Sequence, residues 1–234
     1  MSNASKAERL MELLKRLNAG EDPAGVKAEA REFLARLGPE DLSEAEQKLV
    51  EAGLDPNELR HLCQVHMEML GDEVERMREE VPSGHVVHTL VSEHDHIQGF
   101  LDELEVLNDR IAEMEEFAPD REEFDELRHI ADHLVETESH HDREEEVLFP
   151  ELEKRGVTGP PRIMRLEHQQ LWPQKENLQQ LAESVGEMDF EEFKRRLDIT
   201  VRFIVPTLRE HIFKENNILY PTAVRLIEDE DLWE

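Results

Sequence analysis

One short phrase, written twice, constrains this chain more than any other feature. His140-His-Asp-Arg-Glu144-Glu-Glu-Val-Leu148-Phe-Pro150 is followed 71 residues later by His211-Ile-Phe-Lys-Glu215-Asn-Asn-Ile-Leu219-Tyr-Pro221. Both read His-x-x-x-Glu, two polar residues, Val or Ile, Leu, an aromatic residue and Pro. On a helix, residues four apart lie on the same side, about one turn along. Each copy therefore aims an imidazole and a carboxylate in one direction, from the stripe that also carries its aliphatic residues. A single His/Glu pair at this spacing reads as a solvated surface pair. Two copies, each leading into an apolar patch, do not.

The rest of the chain reads as helices that hold these phrases. Leu10, Leu13, Leu14 and Leu17 predict a first amphipathic helix closed near Gly20, and Asp22-Pro23 opens a second that runs to about Gly38. Ser43 and Glu46 form a capping box for a third, ending at Gly53. A fourth starts at Asp55, with Leu59, Leu62, Cys63, His66, Met69 and Leu70 in its stripe. Val81-Pro82-Ser83-Gly84 breaks it, which divides the chain into a small helical module over 1–81 and a second part over 82–234.

That second part predicts four long helices. The first runs from about Gly84 to Glu116, with Val87, Leu90, Val91, His94, Ile97, Leu101 and Leu104 on one face. Asp120 and Glu123 cap the next, which carries the first phrase. Gly159-Pro160-Pro161 starts a third with Met164, His168, Leu171, Leu178 and Leu181 facing inward. Asp189 and Glu192 cap the last, which carries the second phrase. Short connections between four helices predict an all-α, up-down-up-down bundle. Pro173 and Pro206 fall inside helices and are expected to kink them.

Composition narrows the partners. With 57 acidic against 27 basic residues the net charge is -30, which repels nucleic acid and anionic membranes, so neither is expected as a partner. There is no apolar run long enough to span a bilayer, and Met-Ser-Asn-Ala-Ser has no signal-peptide core. A single cysteine, Cys63, excludes an internal disulfide and fits the reducing cytoplasm. It lies one turn from His66 and reads as a small buried hydrophobe.

A second repeat supplies the remaining ligands for a metal. Glu93-His94-Asp-His-Ile97 resembles Glu167-His168-Gln-Gln-Leu171, each on a helix without the His/Glu phrase. The bundle thus offers His94, His140, Glu144, His168, His211 and Glu215 as metal ligands. Burying two carboxylates costs several kcal/mol each unless cations compensate them. Imidazole with carboxylate suits iron, manganese or zinc, and the absence of nearby thiolate argues against a structural zinc site. Two glutamates on facing helices can bridge two ions and leave two histidines for each. With an oxo or hydroxo bridge, each ion then has five ligands, and an octahedral ion keeps one position for dioxygen, nitric oxide or peroxide.

The adjacent His141 also has a glutamate four residues on, Glu145. Aligning both phrases on their final proline selects His140 and Glu144, because only these match His211 and Glu215. His129 and His133 read as polar residues near the bundle mouth, His85, His88 and His96 as surface or helix-start residues, and Tyr220 as packing.

Residues 84–227 resemble a hemerythrin-like domain, whose order of ligands is His, His-x-x-x-Glu, His, His-x-x-x-Glu. The resemblance implies a non-haem centre of two iron ions, with manganese or zinc as substitutes. It is closest in kind to the di-iron proteins of iron-centre repair, which share the four-histidine, two-glutamate set and a helical N-terminal extension. Oxygen-carrying hemerythrins have a further histidine one turn beyond the third-helix ligand, where this chain has Trp172. An apolar ring there implies an exchangeable position on both ions, bordered by the indole. Residues 5 to about 80 resemble a helical module of unknown function that precedes such domains. The expected function is binding of dioxygen or nitric oxide in sensing or stress response, with any output passing through the N-terminal module to a protein partner. The alternatives are iron–sulfur centre repair by iron donation, and reduction of nitric oxide or peroxide.

Overall fold

The computed structural model describes Arg9, Glu12, Arg16, Val81 and residues 84–227. Apart from Arg9, Glu12 and Arg16, which are helical, the four expected N-terminal helices, with Cys63 and His66, lie outside the described residues, as does Pro82-Ser83 of the expected boundary. Every regular element among the described residues is helical: α1 Val86–Ala112, α2 Glu122–Glu136, α3 Glu138–Arg143, α4 Phe149–Lys154, α5 Gly159–Glu183, α6 Phe190–Lys214 and α7 Tyr220–Leu226. Two π-helical turns, Glu144–Leu148 and Glu215–Leu219, interrupt this series. None of the described helices is long and apolar enough to cross a membrane.

One compact unit, Leu90–Glu144 with Arg165–Ile212, contains the bundle. The other comprises Met1–Thr89, Glu145–Met164 and Phe213–Glu234. In the bundle α1, the α2–α3 run, α5 and α6 are the four antiparallel rods. Arg110 of α1 donates to Glu126 of α2, and Gln179 of α5 donates to Asp132 of α2. Asn177 of α5 donates to Thr200 of α6, and Asn108 of α1 donates to Asp198 of α6. These bonds close a ring in which successive rods touch and the last returns to the first.

The core follows the stripes. Leu101, Leu104, Leu127, Leu134, Leu171, Leu178, Leu197 and Leu208 are all buried in one cluster. Burying a leucine side chain contributes about 1.5–3 kcal/mol, so this cluster is what sets the register of the rods. Away from the two phrases, Phe117, Phe124, Phe190 and Phe193 close one end of the bundle with ring centroids 5.5–6.2 Å apart. Gly186 turns the chain there at φ +89°, and a Cβ on it would meet Phe117 at 2.7 Å.

The helix ends agree with expectation in part. Asp189 accepts from the Glu192 backbone N–H at 3.1 Å, a side-chain cap where one was expected. Asp120 does not cap α2: the cap position is Arg121, with no side-chain bond. Both internal prolines sit inside helices that continue past them, Pro173 in α5 and Pro206 in α6. The interruptions fall elsewhere. Thr137 ends α2, its hydroxyl bonded to the Leu134 carbonyl at 2.6 Å. The two π turns each precede a proline, Pro150 and Pro221. A proline has no N–H for the carbonyl four residues back, and its ring crowds that carbonyl. Widening the preceding turn relieves the crowding, which is why the two copies of the phrase distort alike.

Candidate metal centre

Each π turn begins at the glutamate of its phrase. Glu144 and Glu215 are both fully buried, and so are His94, His140, His168 and His211. α1 supplies His94, α3 His140, α5 His168 and α6 His211. Their side chains converge. His94 and His140 approach through their Nε2 atoms at 3.0 Å, and His168 and His211 do the same at 2.9 Å. Two nitrogens each about 2.1 Å from one ion, at a right angle to one another, lie roughly 3.0 Å apart. Each pair therefore has the separation of neighbouring ligands on a single ion.

One carboxylate of the same compact unit lies among the pairs. Glu144 Oε2 is 3.9 Å from His140 Nε2 and 3.6 Å from His168 Nε2. Candidate ligand atoms of Glu144, His168 and His211 fall within 4.8 Å of one another. Five of the six residues selected from spacing are thus gathered within one unit, and the sixth, Glu215, is itself fully buried. A buried carboxylate beside four imidazole nitrogens forms a donor set that suits a cation of borderline hardness, iron foremost.

The outer contacts orient the ring nitrogens. His140 Nδ1 donates to Glu93 Oε2 at 2.7 Å, and His211 Nδ1 donates to Glu167 Oε2 at 2.9 Å. An ionised carboxylate only accepts, so the proton sits on Nδ1 and the Nε2 lone pair points into the cluster. Burial pushes the Glu93 carboxyl up, but hydrogen bonds from His140 and Arg143 outweigh it and hold the group below its ordinary range. Arg143 donates to both Glu93 oxygens, at 2.8 and 2.9 Å. The glutamate of each Glu-His doublet thus serves the histidine of the next rod. Both doublets were visible in sequence, yet spacing along one helix cannot show which residue of another helix a side chain reaches.

Three other residues bear on the site. Trp172 is 37% exposed, whereas Leu171, Lys175 and Leu178 of the same helix are fully buried. His141, set aside by alignment on the prolines, is 3% exposed on its side chain and stacks on His168 with centroids 3.9 Å apart and planes 9° apart. Lys175 is fully buried, and its ammonium bonds Thr137 Oγ1 at 2.7 Å and Glu138 Oε1 at 2.8 Å, at the break between α2 and α3. His129 and His133 stay apart from the cluster, against Phe100.

Comparison with known proteins agrees with this arrangement. Residues 10–76 match the model of a family of unknown function (DUF438). The chain is similar to the iron-sulfur cluster repair protein YtfE of Yersinia pseudotuberculosis serotype IB (strain PB1/+), 34% identical over 97 residues, which is 39% of this chain and 43% of that protein. The protein of the same name from Yersinia pestis (strain Pestoides F) is 33% identical over an equal stretch, again 39% of this chain and 43% of the relative. The match thus spans less than half the length of these curated relatives. The hemerythrin HHE cation binding domain model matches residues 85–223, a span that contains all four rods, both π turns and every residue of the cluster. By that match, the chain belongs to the hemerythrin HHE cation binding domain family.

Proposed function

We propose that the chain holds two iron ions, one at His94 and His140 and the other at His168 and His211, with Glu144 and Glu215 bridging them. The observation that carries this is the position of Glu144 Oε2, less than 4 Å from a histidine nitrogen of each pair. Iron held by such ligands supplies Lewis acidity and one-electron redox chemistry. The chain's own part is to fix the imidazole lone pairs of His140 and His211 with Glu93 and Glu167, and to hold two carboxylates away from water.

The use we favour is repair of iron–sulfur centres by supply of iron, the alternative reading of the sequence. Likeness to two proteins named for that role supports it over gas sensing. The test loads purified protein with ferrous iron and mixes it with a dehydratase whose [4Fe–4S] centre has lost one iron. Expected are about two iron ions per chain and reactivation faster than with the same amount of free iron, both lost in Glu144→Ala. Reactivation no faster than with free iron refutes the repair role. Stoichiometry well below two refutes the paired centre.

Binding of dioxygen or nitric oxide is the second reading. Complete burial of Glu144 and Glu215 favours it, because such a centre admits only small ligands. A visible spectrum that changes with either gas, together with failed reactivation, would select it.

A further inference from the structure

His129 and His133 take no part in the buried cluster, yet they repeat its construction on the outside of α2. They stand four residues apart, hence on one side of the helix, about one turn along. Their ring centroids are 4.4 Å apart with planes at 86°, against 4.7 Å for both His94–His140 and His168–His211. Unlike those pairs, they meet water: His129 is exposed, and the His133 side chain is 39% exposed.

The surroundings orient one ring and leave the other open. His133 Nδ1 donates to Glu136 Oε2 at 3.1 Å, so the lone pair is on Nε2. The same device, a carboxylate on Nδ1, orients His140 and His211 in the buried centre. Among the described residues no hydrogen bond engages a His129 nitrogen. Phe100 of α1 lies flat against His133, with centroids 4.7 Å apart and planes 14° apart, and meets His129 edge-on at 6.1 Å. A ring nitrogen binds a metal in the plane of the ring, so the stack on Phe100 and a metal bond coexist. His129 also borders a surface groove of about 540 Å³ with Asp102, Glu103 and Glu126, which gives a hydrated cation room and a favourable field.

We propose that His129 and His133 form a second, exposed metal site, which takes zinc, nickel or copper with water as the remaining ligands. Two histidines four apart on one helix face are a known way to hold zinc. Two imidazoles without a carboxylate ligand favour these late divalent ions over manganese and ferrous iron. The mixed donor set of the buried centre suits iron instead, so the two sites select different metals.

The test counts zinc bound to the full-length chain at buffered free zinc, after loading with ferrous iron and removal of excess metal. Wild type should bind one zinc ion more than His129→Ala and one more than His133→Ala, with iron content equal in all three. His96→Ala, which removes an exposed histidine of α1, should match wild type. Only the difference of one ion matters, so the result does not depend on how many ions the buried cluster takes. Equal zinc in wild type and both variants overturns the site, and so does an equal loss in His96→Ala. With manganese in place of zinc the difference should vanish; one that persists overturns the assigned metal class.

Discussion

Glu93 and Glu167 are the residues on which ligand orientation turns. Removing Glu167 should free the His211 ring to turn and leave its Nδ1–H buried without an acceptor, so Glu167→Ala should weaken iron binding about 10- to 100-fold. Competition with a chelator of known affinity measures this, and unchanged affinity would remove the orienting role. Glu93 is half-buried and shared with Arg143, so Glu93→Ala should cost less. The buried histidines and glutamates were legible at this scale because spacing of four and a repeated phrase encode a direction along one helix. His141 was set aside because alignment on the prolines matches His140, and not His141, to His211. Trp172, four steps from His168, is 37% exposed, whereas Leu171, three steps on, is fully buried.

At the scale of elements, the π turns tie each ligand glutamate to the proline that follows it. Pro150→Ala restores an N–H and relieves the crowding at the Glu146 carbonyl, so the turn should tighten towards an α-helix and swing Glu144 out of its place. Iron content should fall while far-UV circular dichroism stays helical; full iron content in this variant would show that Pro150 does not hold the turn. Gly186→Ala tests a different turn. With φ at +89° and Phe117 in the way of a Cβ, it should cost about 1–3 kcal/mol, read as a lower Tm by roughly 2–4 °C for each kcal/mol. The number and order of the rods were legible from periodic leucines and short connections. The interruptions were not. Pro173 and Pro206 are accommodated within continuous helices, while Thr137, an unremarkable residue in sequence, ends α2 beneath a buried lysine from the neighbouring rod.

Over the whole molecule, charge governs the response to solution conditions. Arg195 and then Arg196 hydrogen-bond to Glu192 and bring its carboxyl from 4.5 to about 2, and Arg121, with the backbone, does the same for Glu123. Both values are depressed, so the stabilisation is present above the ordinary value and is lost as pH falls from 4.5 towards 2. Carboxyl ¹³C shifts should follow that order, and Glu192→Gln should flatten the corresponding part of the acid-unfolding curve. With a net charge of -30, added salt should raise Tm by screening self-repulsion, and a Tm indifferent to salt would contradict this. The pairing of the ligands has a further consequence. His94 and His140, with Glu93, come from the first two rods, and His168 and His211, with Glu167, come from the last two. Under the proposed assignment each helical hairpin is nearly a complete mononuclear site, and Glu144 reaches across from one to the other. In effect the bundle is a dimer of hairpins within one chain, with the candidate metal centre as its interface. Stripping the iron should then loosen the joint between hairpins before it unwinds either, and hydrogen exchange should speed up first along the seam between His140 and His168.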